Sequence, residues 1–116
     1  MSSEEHRAER QQEKDEAVAA IVGALSAIEA DKREPDQWER ALLVQAIGCL
    51  FRGAYRLATV DAQLALTPAN ERSRTFQQPD TSLDKYGLPL LREGLQEAKA
   101  EPLRDYPVFG PIVFTR

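Results

Sequence analysis

A chain of 116 residues, 42% hydrophobic and 29% charged, is long enough for one domain built around one core. Its net charge of −4 sets a mildly acidic surface that repels phosphate backbones at long range, against nonspecific nucleic-acid or anionic-membrane binding. A lone cysteine, Cys49, excludes an intramolecular disulfide, and no apolar run approaches the ~20 residues that span a bilayer.

Residues 2–16 carry six acids against three basic groups and no apolar stripe. Ser2 followed by Glu5 resembles a capping box, so this stretch is either a solvated helical extension or disordered. It lacks the apolar core of a secretory signal, which makes the cytoplasm the expected compartment. We treat residues 1–16 as a polar extension, 17–104 as a helical domain and 105–116 as an apolar tail.

From Ala17 the pattern changes. Val18, Ile21, Val22, Leu25 and Ile28 recur at helical spacing among interleaved alanines, which predicts an amphipathic helix ending near Lys32, ahead of Pro35. Asp36 offers an N-cap, and Glu39 completes a capping box. Trp38, Ala41, Leu42, Leu43, Ala46, Ile47, Leu50 and Phe51 then place apolar residues on nearly every face of a second helix, one that belongs in the middle of the fold.

Arg52-Gly53 breaks that helix, because glycine past a helix end adopts the left-handed conformation that closes it. Leu57, Val60 and Leu64, with Ala58, Ala62 and Ala65, define a third helix stopping before Pro68. One bent helix through Gly53 is the rival reading. The hairpin is preferred, since a straight helix of that length strands its apolar residues.

Residues 68–87 hold two prolines and several Ser, Thr, Asn and Asp, the composition of a long polar loop. Leu88, Leu91, Leu95 and Ala98 then line one face of a short fourth helix, with Pro89 in its first turn. The tail YPVFGPIVFTR is apolar and interrupted by Pro107 and Pro111. It is expected to lie extended across the helical core or across a partner. The fold expected is all-α: a three- to four-helix bundle with a central antiparallel hairpin. Val18, Ile21, Leu25, Ile28, Leu42, Leu43, Ile47, Leu50, Leu57, Val60 and Leu64 are its expected core.

Gly53, Tyr55, Ala58, Ala65 and Pro68 resemble the second half of a tetratricopeptide repeat, in which glycine makes the interhelical turn and alanines let helices approach closely. The resemblance covers residues 36–68. The spacing from Gly53 to Pro68 is short for the repeat, and Gln45 and Ala46 stand where its first helix carries Leu-Gly. One copy is visible, and the resemblance implies a peptide-binding or scaffolding role.

Gln45 and Asp61 both interrupt apolar stretches, and a turn centred on Gly53 places them at one level of the hairpin. They read as a polar contact in a groove, as a hydrogen-bonded pair, or as two residues facing solvent. Cys49 reads as a small buried hydrophobe near the end of its helix, whereas a reactive thiol wants a nearby cation or a helix N-terminus. The one histidine, His6, lies in the polar opening run, so neither a zinc ligand set nor a Cys-His or Ser-His arrangement is assembled. No Gly-rich phosphate cradle follows a strand, and no cofactor is expected. Arg72 and Arg74 beside Phe76 form a weak single-strand-binding cue, countered by Glu71 and the overall acidity.

These features favour a protein–protein interaction module without catalytic activity: an adaptor, chaperone or regulator. Helix 1 or the apolar tail offers a surface for a homodimer. A small-ligand binder or minor enzyme, with a pocket near Trp38, Gln45, Tyr55 and Asp61, is the second reading, and a nucleic-acid-associated regulator the third. Partner contacts are expected at Trp38, Gln45, Tyr55, Asp61, Phe109 and Phe114.

Overall fold

A computed structural model describes residues 3–72 and 83–108. Four α-helices, α1 (Ser3–Ala30), α2 (Gln37–Arg52), α3 (Tyr55–Ala65) and α4 (Leu88–Ala100), pack into a small all-α bundle, and no strand occurs among the described residues. A 3-10 turn, Ala69–Glu71, follows α3.

The helix that the apolar pattern places from Ala17 extends back to Ser3. Its polar half is rich in good helix formers and carries side-chain pairs at i,i+4, Gln11 to Asp15 at 2.9 Å and Gln12 to Glu16 at 3.3 Å. The helix gives way at Lys32, which takes a left-handed φ of 56°. Ile21, Ala24, Leu25 and Ile28 are buried, whereas Val18 sits only partly covered at the margin of the core.

Asp36 and Glu39 form the reciprocal capping box that opens α2. Glu39 is itself buried, and Arg33 holds both its oxygens, at 2.6 and 2.8 Å. That bidentate grip raises the Arg33 pKa and ties the α1–α2 turn to the body of the protein. At the far end, Gly53 adopts a φ of 81° and its N–H reaches the Cys49 and Leu50 carbonyls. A side chain there meets a second obstacle, because a Cβ on Gly53 lies 2.9 Å from the Cβ of Arg104. The chain therefore turns at Gly53, and α2 and α3 are separate helices packed on each other.

The core of α3 differs from the expectation. Leu57, Val60 and Leu64 are 53%, 47% and 44% exposed, while Tyr55, Ala58, Asp61, Ala62 and Ala65 are buried. The reason is packing geometry. α3 lies against α1 and α2 together, and alanines on the face it turns to them allow close approach that leucines do not. Its larger apolar residues are left on the outer side.

α4 closes the bundle with Leu91, Leu95 and Ala98 inward and Leu88 partly covered. Its first backbone N–H, at Leu88, is satisfied from across the fold by the Glu34 carboxylate at 3.0 Å. A Cβ on Gly87 lies 2.7 Å from that oxygen, so glycine leaves the cap its room.

Candidate functional site

The most unusual structural arrangement lies where α2 ends. The last carbonyls of a helix lack intrahelical partners and carry the negative end of its dipole. Here the segment after α4 supplies the donors. Arg104 Nε donates to the Phe51 carbonyl at 2.8 Å, and the Val108 N–H donates to the Arg52 carbonyl at 2.8 Å. The Gly53 carbonyl is taken by Arg10 of α1, whose guanidinium also lies 4.5 Å from the centre of the Tyr55 ring.

The same polar half of α1 grips residues 101–105. Lys14 Nζ donates to the Glu101 carbonyl at 2.6 Å, and Arg10 Nε to the Arg104 carbonyl at 3.1 Å. His6 Nε2 lies 2.9 Å from the Asp105 carbonyl, and Arg7 pairs with the Asp105 carboxylate at 3.2 Å. Burial lowers the Lys14 pKa, and the charges of Asp15 and Glu101 oppose that shift. Sequence reading missed this latch. The signal was present: His6, Arg10 and Lys14 recur at i,i+4, one basic face of a helix that lacks an apolar stripe.

The latch holds the chain at the end of α2 and the first turn of α3, a helix that also carries an outer apolar face. Leu57, Val60 and Leu64, at i, i+3 and i+7, share this face. Leu66, 49% exposed, follows the helix end. Trp38 of α2 stands at the opposite end of α3, where its Nε1 donates to the Leu64 carbonyl at 2.9 Å. The Arg72 guanidinium lies 5.6 Å from the centre of the Trp38 ring. Arg72 also donates to Asp36 at 2.9 Å and to the Thr67 carbonyl at 3.0 Å, so it is committed to the fold and not presented as a nucleic-acid contact. Arg74 and Phe76 lie outside the described residues. Burial works against the Asp36 charge, yet the Glu39 N–H and the Arg72 guanidinium outweigh it and hold the carboxyl below the usual range.

Asp61 does not pair with Gln45. Gln45 is exposed, whereas Asp61 is buried and accepts a weak hydrogen bond from Cys49 Sγ at 3.8 Å. Burial pushes the Asp61 carboxyl above its usual range, and the thiol hydrogen bond opposes this. Burial, with the Asp61 charge beside it, pushes the Cys49 thiol up to about 11. Such a thiol is a poor nucleophile at neutral pH.

The four residues expected around a pocket are therefore dispersed. Tyr55, 1% exposed, holds the C-terminal segment through its hydroxyl at one end of the hairpin, and Trp38 marks the other end. Asp61 faces α2 from inside, and Gln45 faces solvent. Phe109 and Phe114 lie outside the described residues. Among the described residues, no group of three or more His, Cys, Asp or Glu is placed to hold a metal ion, and no helix is long and apolar enough to cross a membrane. No family model matches this chain, and no match was found among curated proteins or solved structures.

Proposed function

We propose that this chain is a protein–protein docking module of the cytoplasm, and that the outer face of α3 receives a short apolar segment of a partner protein. One observation carries the reading: a Leu57–Val60–Leu64 stripe faces outward on a helix whose inner face is already packed by Tyr55, Asp61 and three alanines. Spacing of this kind is what an apolar partner segment reads on a helix. The likeness of residues 36–68 to a tetratricopeptide-type hairpin supports the same class of function. The dispersal of Trp38, Gln45, Tyr55 and Asp61 favours it over a pocket-based enzyme.

The stripe alone supports modest affinity. Full burial of a leucine or valine is worth ~1.5–3 kcal/mol, and about half of that remains to be gained at each of the three positions. Association costs an estimated ~4–15 kcal/mol in lost freedom, so a partner must add contacts of its own or be held nearby. The test compares the native chain with a Leu57→Ser, Leu64→Ser variant. Partners are captured from native lysate, identified, and then titrated directly by calorimetry. The native chain is expected to bind and the variant to lose binding. Equal binding by both overturns the proposal.

A further inference from the structure

Two stretches far apart in sequence lie outside the core and hold each other. None of residues 3–13 of α1 is buried, and none of residues 101–108 after α4. Leu103 packs partly covered against the core, while Asp105, Tyr106 and Pro107 are exposed. The join between the two stretches is polar, from His6, Arg7, Arg10 and Lys14 to the Glu101, Arg104 and Asp105 carbonyls and the Asp105 carboxylate. We propose that residues 3–14 and 101–108 form one releasable strap, which opens and closes as a unit while the helical bundle stays folded.

The balance of forces favours such a separation. Apolar burial is the dominant favourable term in folding, and the bundle has it at Ile21, Leu25, Leu43, Ile47 and Leu91, none of which is exposed. The strap relies on hydrogen bonds, whose net worth in water is small, and on an Arg7–Asp105 ion pair with both partners more than half exposed. Regions with few buried apolar contacts and solvated hydrogen bonds open at a lower free energy than the whole fold.

The contacts also require the two stretches to move together. His6, Arg10 and Lys14 stand on successive turns of α1, and each is tied to residues 101–105. When that segment leaves, the polar half of α1 has no apolar stripe to keep it helical, and an unsupported helix of this length is marginal in water. When α1 unwinds, the segment keeps only its bonds from Arg104 and Val108 to Phe51, Arg52 and Tyr55. Each stretch therefore stabilises the other, and such coupling is reciprocal. A hinge is in place, because α4 ends in extended backbone at Glu101 and Pro102 follows.

Opening bares Tyr55, 1% exposed in the closed form. It also frees the Phe51, Arg52 and Gly53 carbonyls, the negative end of the α2 dipole, and the donors of α1 that hold the strap. The strap is thus a built-in cover for this end of the hairpin. It stands independently of the docking role of the outer α3 face.

Hydrogen exchange of the full chain, followed by NMR in urea below the unfolding transition, tests the unit. The Arg104 and Val108 amides and the helical amides of Arg10 and Lys14 are expected to share one opening. Its urea dependence should be weaker than that of the Ile47 and Leu50 amides, because it exposes less surface. Exchange of all six amides with one urea dependence makes the strap part of the bundle and overturns the proposal.

Two variants perturb one stretch and are read on the other. Arg104→Ala removes the bond to the Phe51 carbonyl and leaves the backbone carbonyls that α1 holds. It is expected to speed exchange at the Arg10 and Lys14 amides several-fold, by the same factor as at Val108. Arg10→Gln, which removes a side chain that does not bond Val108, is expected to speed exchange at Val108 in the same way. Acceleration confined to the stretch that carries the substitution means that α1 frays by itself, and overturns the proposal.

Discussion

The Tyr55 hydroxyl accepts a hydrogen bond from the Arg104 backbone N–H at 3.0 Å, which ties the first turn of α3 to the segment that follows α4. Tyr55 is also covered by the Arg10 guanidinium, so three parts of the chain meet at one ring. Tyr55→Phe keeps the ring and removes the acceptor. The expected cost is about 1 kcal/mol, the net worth of one such bond, read by chemical denaturation. Hydrogen exchange at the Arg104 amide should speed up by more than global destabilisation accounts for. Unchanged exchange there removes the latch as a determinant of where the C-terminal segment lies.

Two glycines give opposite expectations. Gly53→Ala places a side chain at a φ of 81° and 2.9 Å from the Arg104 Cβ. Left-handed strain alone costs about 1–3 kcal/mol, and the overlap also pushes Arg104 off the Phe51 carbonyl. Gly23 lies inside α1 with nothing within 4 Å of an added Cβ. Gly23→Ala should therefore stabilise the protein by up to about 1 kcal/mol, through helix propensity. Thermal melts of the two variants, shifted in opposite directions, check both.

Helix existence and the position of the Gly53 turn were legible because they are local. A capping box, a helix-breaking glycine and 3.6-residue periodicity each act within a few residues of sequence. The buried side of α3 was not legible in the same way. Leu57–Val60–Leu64 and Ala58–Ala62–Ala65 are both periodic, and hydrophobicity favours the leucines. The choice was made by close approach to α1 and α2, a tertiary constraint that no window of sequence contains. The role of Arg10 and Lys14 was hidden for a related reason: their partners are backbone carbonyls at Gly53, Glu101 and Arg104, far along the chain.

The two faces of α3 can be separated by stability. Leu43→Ala empties a fully buried site on α2 and should cost about 2–5 kcal/mol. Leu57→Ala, on the outward face, should cost about 1 kcal/mol or less, the scale of a change away from the core. Urea denaturation of both variants gives the comparison. Equal losses place Leu57 in the core and remove the docking face.

Cys49 should resist thiol reagents in the native state. Its pKa of about 11 follows from burial and from the Asp61 carboxylate beside it. At pH 8 roughly one molecule in a thousand then carries a thiolate, before burial slows the reagent's access further. Labelling with a disulfide reagent is expected to follow unfolding, with a rate that climbs through the denaturant transition. Fast labelling of the folded chain contradicts the buried Cys49–Asp61 pair.

Asp61 gives the clearest dependence on pH. Burial raises its folded pKa above the unfolded value. Between those two values the folded protein holds a proton that the unfolded chain has released, so the contribution of this group to stability falls as pH rises through that window. Above the folded pKa the full cost of a buried carboxylate is present, with only the Cys49 thiol to offset it. Asp61→Asn removes the charge and keeps the shape. The Asp61→Asn variant should be more stable than the native chain at pH 7, with an advantage that shrinks as pH falls through the folded pKa and disappears below the unfolded value. Asp36 shifts the opposite way, and its stability is lost as pH falls through its lowered pKa, but it is common to both chains and cancels in the difference. Melting temperatures of the pair, measured from pH 3 to pH 8, test this, and a difference that stays constant over that range shows that Asp61 is solvated and the α2–α3 interface open to water.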